Sequence, residues 1–217
     1  MKPTKKAWVQ AAIDVTDLAL AQKAARIAKE AGAEWIEVGT PLLFEYGHKS
    51  IDAIRSVVGE LPLVADYKVP GNAVLVMEPA RQHGAQFAIV MNAQDDYSAK
   101  EALELSRQTG VKVIFTMDVP GPQMAARAKQ LEALGAEYIM VHHHYEEIQA
   151  NPNRRSCDFV GEVADAVNIP VGVSSDNLDE ALEAVRQGAS WVTFGFVLRD
   201  PDPETAKMWI DAIHHAR

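Results

Sequence analysis

Apolar residues along this chain alternate between two rhythms. Short runs rich in Val, Ile, Trp and Phe read as buried strands, and they are expected at residues 8–14, 35–38, 63–68, 87–91, 111–116, 138–142, 170–173 and 191–194. Between them, apolar positions recur three and four apart, which predicts amphipathic helices at residues 18–31, 51–58, 98–109, 123–134, 178–187 and 204–215. One junction repeats: a helical stretch ends in a small or polar residue, a glycine follows, and an apolar run begins. It occurs at Gly32, Gly84, Gly110, Gly135 and Gly188, where glycine can supply a left-handed helix C-cap. Eight such strand and helix units predict one (β/α)8 TIM barrel over residues 1–217, with a doubly wound open sheet as the competing architecture. The longest unpatterned stretch, residues 143–155, is expected to be a loop over the active face.

In a (β/α)8 barrel the chemistry sits at the carboxyl ends of the strands. The residues that close the apolar runs are Asp14, Glu37, Asp66 with Lys68, Asn92, Asp118, His142 and Ser174. Loops begin there and explain some polarity, but charge on the inward parity of several strands exceeds what loops require. Asp66 and Lys68 are two apart and share one face of a strand, next to the strand that ends in Glu37. Two carboxylates and an ammonium therefore converge. Such a group can hold a hard divalent cation and leave a lysine for proton transfer. The run His142, His143 and His144 is a weaker metal signal, because neighbours on a strand point to opposite sides; of the three, His142 is the functional candidate. Arg154 and Arg155 read either as an anion clamp or as solvated loop residues. Trp35, Trp191 and Tyr138 read as core.

Composition narrows the class. The chain has 217 residues, 48% of them hydrophobic and 24% charged, enough for one domain with a sizeable core. A formal net charge of −9 with no basic tract argues against nucleic-acid binding. Neither a signal-peptide pattern nor a membrane-spanning run is evident, and the lone Cys157 cannot form an internal disulfide, so the cytoplasm is the expected compartment. Cys157 itself is read as a filler or surface thiol rather than a nucleophile.

Four stretches resemble the orotidine 5′-monophosphate decarboxylase suprafamily, in its branch of 3-hexulose-6-phosphate synthase and 3-keto-L-gulonate-6-phosphate decarboxylase. They are Gln10-Ala11-Ala12-Ile13-Asp14, Ile36-Glu37-Val38-Gly39-Thr40-Pro41-Leu42, Val64-Ala65-Asp66-Tyr67-Lys68, and the run from Leu134 through Gly135, Ala136, Glu137 and Tyr138 to His142. The resemblance implies that Glu37 and Asp66 are ligands of Mg²⁺, that Lys68 stabilises or protonates an enediolate, and that His142 is an acid or base. Asp14 would bind substrate hydroxyls or position Lys68. A homodimer with sites near its interface and a small sugar or sugar-phosphate substrate are implied as well. The expected activity is a carbon–carbon lyase, a decarboxylase or aldolase. The alternatives are a ketose-phosphate isomerase or epimerase and a non-catalytic sugar-binding descendant.

Two departures stand out. The family motif Asp-x-Lys-x-x-Asp ends here in Gly71, beside Asn72. The family's phosphate-binding Gly-Gly and Gly-Arg pairs are replaced by Ser174-Ser175-Asp176-Asn177 and Gly195-Phe196. Ser174, Ser175 and the backbone at Gly195 and Phe196, with Arg199 nearby, remain as donors for an anion, while Asp176 is itself an anion in that place. Asn92 and Asp118 complete the candidates for substrate contact.

Overall fold

A computed structural model describes residues 6–92, 95–117, 119–151 and 153–216. Eight parallel strands close into a barrel in sequence order. They are β1 (Trp8–Ile13), β2 (Trp35–Val38), β3 (Leu63–Val69), β4 (Phe87–Asn92), β5 (Lys112–Met117), β6 (Tyr138–Val141), β7 (Val171–Ser174) and β8 (Trp191–Phe194). Around them run α1 (Leu18–Ala31), α2 (Thr40–Tyr46), α3 (Lys49–Val58), α4 (Val74–Gln82), α5 (Asp96–Thr109), α6 (Met124–Leu134), α7 (Tyr145–Ala150), α8 (Val160–Ala166), α9 (Leu178–Arg186) and α10 (Pro203–His215). The open-sheet alternative is thereby excluded. Each predicted strand is present with its ends displaced by at most one residue. The expected loop at 143–155 holds a short helix, α7, instead of being irregular throughout.

Local chemistry accounts for the helix ends. Asp17, Asp95, Asn177 and Asp202 cap α1, α5, α9 and α10 by accepting a backbone N–H of the first turn. The five junction glycines all adopt positive φ, from +78° at Gly110 to +110° at Gly188, which an L side chain would resist. α1 buries a stripe of small residues, Ala21, Ala24, Ala25 and Ala28, and this allows close approach to α3 and α10.

The outer core lies between strands and helices, and a second cluster fills the barrel interior. Trp35, Val64, Phe87, Ile89, Ile114, Met140 and Trp191 form it, with Trp8 and Tyr138 against its edge. Trp35 contacts Phe87 and Trp191 with ring centroids 4.5 and 5.6 Å apart, so aromatic residues plug the amino-terminal mouth. Further along the same inward parity the strands turn polar. Thus β2 carries Trp35 in the plug and Glu37 above it, and β8 carries Trp191 and Thr193. Gly172 is required by this packing, because a Cβ there would lie 2.0 Å from Cε2 of Trp191. Cys157 is buried, and burial pushes its thiol pKa up, as suits a filler. Gly172→Ala is expected to destabilise the barrel by about 2–3 kcal/mol, the cost of overpacking a filled core. A urea midpoint equal to that of the wild type would contradict this account of the plug.

Candidate active site

A cavity of about 670 Å³ opens at the carboxyl ends of the strands, with Ile89 and Met140 on its floor. Asp14, Glu37, Asp66, Lys68, His142, Ser174, Ser175 and Gly195 all line it. Asp118 lies outside the described residues, Asn92 ends β4, and Phe196 begins a 3-10 turn after β8.

One end of the cavity is built on β1, β2 and β3. Glu37 and Asp66 are almost fully buried. Gln10, one turn of the pleat below, donates from Nε2 to Glu37 Oε2. Thr40 opens α2 and donates from Oγ1 to Asp66 Oδ2 at 2.7 Å, and Lys68 Nζ donates to the same carboxylate oxygen. Lys68 also reaches Thr40 Oγ1 at 3.4 Å. Among the described residues Asp66 Oδ1 is buried with no hydrogen-bond partner.

Lys68 does not sit on a regular strand. Asp66 pairs with Ile89 and Val69 with Val90, so Tyr67 and Lys68 bulge out of the ladder. Lys68 has φ +48°, a left-handed conformation costly for a long side chain. The expected contact with Asp66 is present, but the bulge delivers it and not simple alternation along the strand. Asp14 follows β1 and is wedged between backbones. A Cβ on Gly39 would lie 2.2 Å from Asp14 Oδ1, and one on Gly195 would lie 2.9 Å from Asp14 Oδ2.

Electrostatics follow from this crowding. Burial, and then the charge of Asp66, push Asp14 up to about 6. The same two causes push Glu37 well above the usual carboxylate range. For Lys68, burial favours the neutral amine, but Asp66 and Glu37 more than offset it and hold the ammonium charged. Burial, reinforced by Lys68, pushes His142 down to about 3, so its imidazole is neutral near pH 7. His143 also lines the cavity, with its Nε2 3.3 Å from the carbonyl of Asp158, and His144 is exposed.

The opposite end, at β7 and β8, is hydrogen-bonded within itself. Asp176 Oδ1 accepts from the Gly195 backbone N–H at 2.8 Å. Ser175 N–H donates to the Thr193 carbonyl at 2.9 Å, and its hydroxyl oxygen lies 2.6 Å from Ser156 Oγ and accepts from the Asn177 N–H at 3.2 Å. Glu180 accepts from both the backbone and the hydroxyl of Ser156, each at 2.7 Å. Arg154 faces Glu147 at 3.0 Å and Asp158 at 3.5 Å, and so belongs to an ion-pair network.

Comparison with known proteins now places the chain. Residues 8–193 match the model of the orotidine 5′-phosphate decarboxylase / HUMPS family. The chain belongs to this family. It is 28% identical over 153 residues to 3-hexulose-6-phosphate synthase of Bacillus subtilis, covering 68% of this chain and 71% of that one. The crystal structure of 3-hexulose-6-phosphate synthase from Salmonella typhimurium superposes with a TM-score of 0.84 at 21% identity, covering 96% of this chain and all of that one. That of 3-keto-L-gulonate-6-phosphate decarboxylase from Vibrio cholerae gives 0.81 at 20% identity, covering 98% and 100%. Both structural likenesses establish the same fold.

Within this family member, Glu37, Asp66, Lys68, Asp14 and His142 are brought to one cavity as expected. Ser174 lines its far side. Ser175 and the Gly195 N–H are near, but neither is an open donor, because Asn177, Thr193, Ser156 and Asp176 already engage them. Asn72, next to the Gly71 that stands at the motif's last position, is exposed, at φ +57°, and is not among the residues lining the cavity. Two supporting residues escaped the reading of strand ends: Gln10, a polar residue inside an apolar strand, and Thr40, directly after Gly39. Both orient carboxylates instead of closing a strand.

His142 supplies a test of the electrostatics. An unfolded histidine takes up a proton near pH 6.5 and the folded one only near 3, so stability is lost as the pH falls from about 6.5 toward 3. His142→Asn is therefore expected to lose less stability than the wild type between pH 7 and pH 5, by about 1–2 kcal/mol in urea titrations. Equal losses would show that the imidazole titrates normally.

Proposed function

We propose that this chain is a metal-dependent carbon–carbon lyase acting on a keto sugar, a keto sugar acid or a phosphate ester of either, through an enediolate. The observation that supports it is the buried convergence of Glu37, Asp66 and Lys68, with Asp66 Oδ1 unpartnered among the described residues. Its relatives carry the names of an aldol-type synthase and a keto-acid decarboxylase, two reactions that share that intermediate.

Mg²⁺ fits the donors. Two hard carboxylates are available, and this ion commonly takes one or two protein carboxylates, leaving the remaining positions to water and substrate. No group of three or more His, Cys, Asp or Glu side chains arranged for a metal occurs among the described residues, so the fit rests on these two carboxylates alone. The chemistry Mg²⁺ supplies is positive charge for the two adjacent oxygens of an enediolate. Glu37 and Asp66 are the residues that would hold it, Gln10 and Thr40 fixing one oxygen of each.

The remaining work falls to the side chains. In decarboxylation the bond from carboxylate to the adjacent carbon breaks, its electron pair passes to the neighbouring carbonyl, and carbon dioxide leaves. Lys68, held as an ammonium, hydrogen-bonds the oxygen that gains charge and is placed to protonate the carbon. In the aldol direction a proton leaves that carbon instead and an aldehyde adds there. His142, a neutral imidazole that lines the cavity, is the candidate acceptor of that proton, although burial and the charge of Lys68 make it a weak base. Asp14 orients substrate hydroxyls from its slot between Gly39 and Gly195. An epimerase would need a second acid or base on the opposite face of the enediolate, a weaker fit to one histidine at one strand end.

A homodimer belongs to the same proposal. Phe44 on α2, with Val74 and Leu75 on α4, is exposed and apolar, close to the strand ends that carry the reactive group. The cytoplasm is the proposed compartment; among the described residues no helix is long and apolar enough to cross a membrane.

Proton NMR in D₂O tests the chemistry. With Mg²⁺ present, the C1 protons of D-ribulose or D-ribulose 5-phosphate are expected to exchange, chelator is expected to stop the exchange, and Lys68→Ala to slow it by about 10³-fold or more. Absence of exchange with both compounds, or exchange indifferent to chelator, would contradict the lyase reading.

A further inference from the structure

From the β7 and β8 end of the cavity we infer that the substrate is not a phosphate ester there, but ends in an uncharged, hydroxylated carbon. The inference rests on the lyase reading for which end of the ligand reacts, at Glu37, Asp66 and Lys68. A ligand anchored there extends across the barrel mouth toward Ser174, Asp176 and Gly195, which line the same cavity.

A phosphate dianion needs several open N–H donors, and cations unopposed by carboxylates. At this end four N–H groups are already engaged within the chain. Its Gly195 N–H is taken by Asp176 Oδ1, its Ser175 N–H by the Thr193 carbonyl, and its Asn177 N–H by Ser175 Oγ. The Glu180 N–H at the start of α9 is taken by Asn177 Oδ1. The Asp176 carboxylate thus occupies the kind of N–H that an external anion would seek, and it is part of the chain. Arg199 and Arg154 both line the cavity, but Arg199 shares this end with the carboxylates of Asp14, Asp176 and Glu180, and Arg154 is paired with Glu147 and Asp158. An arriving dianion would face carboxylates at close range in a partly desolvated cavity.

A sugar hydroxyl suits the same groups. It donates to Asp176, whose Oδ1 is already held by Gly195, and it can exchange hydrogen bonds with Ser174, which lines the wall beside it. The substrate class is therefore a free keto sugar or free keto sugar acid. Asp176 is the residue that selects it, by filling the anion position and by accepting from a hydroxyl.

Isothermal titration of the full chain with Mg²⁺ compares D-ribulose with D-ribulose 5-phosphate, alongside Asp176→Gly and Asp176→Asn. The wild type is expected to bind D-ribulose at least as tightly as the ester, and Asp176→Gly to move the ratio toward the ester by about tenfold or more. Asp176→Asn retains an acceptor for the Gly195 N–H while removing the charge. It is expected to shift the ratio in the same direction by a smaller factor, and it carries the test if the glycine variant does not fold. A wild-type preference for the ester, or a ratio unmoved in the folded variants, would overturn the inference. C1 exchange recorded on the same samples separates the two proposals. Exchange confined to the ester contradicts the substrate class and leaves the lyase standing; selective binding of D-ribulose without exchange contradicts the lyase and leaves the selectivity standing. No saturable binding of either compound contradicts both.

Discussion

Three carboxylates at one end of a barrel, with one ammonium among them, set the terms for the rest of this structure. Asp14, Glu37 and Asp66 stand on adjacent strands, two of them almost fully buried, and their mutual repulsion is part of why Glu37 and Asp14 are reluctant to ionise. Burying like charges is costly unless something compensates them. Lys68 compensates partly, through Asp66, and a divalent cation would complete the balance. The aromatic plug below the site is the counterpart of this arrangement. Trp35, Phe87, Tyr138 and Trp191 fill the lower barrel, so the strands need not close on polar groups there, and the polar end can be kept for chemistry.

The backbone supports the same end at some cost. The bulge at Tyr67 and Lys68 and the left-handed φ of Lys68 interrupt the β3 ladder where the ammonium must be aimed. Gly39 and Gly195 let two strand ends press against Asp14, so its carboxylate is oriented by main chain instead of by a partner free to swing. Thr40 links the second and third strands by donating to both the side chain and the carbonyl of Asp66. Charged residues held at strand ends and backed in this way would suit electrostatic catalysis, where the groups should not have to reorganise as charge develops.

Much of this was legible from residue order. Strand positions followed from apolar runs closed by charge, and the helix ends from Gly32, Gly84, Gly110, Gly135 and Gly188, because left-handed capping is a local property of glycine. The clustering of Asp14, Glu37, Asp66, Lys68 and His142 was legible for a related reason: barrel topology places every strand end on one rim. Less visible were α2, α4, α7 and α8. Pro79 lies inside α4, and Phe44, Val74 and Leu75 put apolar residues on exposed faces, which blurs the helical period. The bulge at Lys68 depends on pairing with β4 and leaves no mark in the segment itself. The hydrogen bond from Gly195 to Asp176 depends on two loops 19 residues apart meeting over the barrel, so Asp176 could be flagged as an anion in a phosphate-binding position, but its partner could not be named.

The two ends of the cavity therefore differ in kind. One keeps unsatisfied carboxylate oxygen in a buried place; the other satisfies its own donors. The central claim concerns the first, that the carboxylates are assembled for a cation. Thermal unfolding with Mg²⁺ or with chelator tests it most directly, on the wild type and on Asp66→Asn. A ligand that binds only the folded state raises its stability by about 2.7 kcal/mol at a hundredfold excess over Kd, so saturating Mg²⁺ should raise the wild-type Tm by several degrees and leave Asp66→Asn unmoved. A wild-type Tm indifferent to Mg²⁺, or an equal rise in Asp66→Asn, would contradict it.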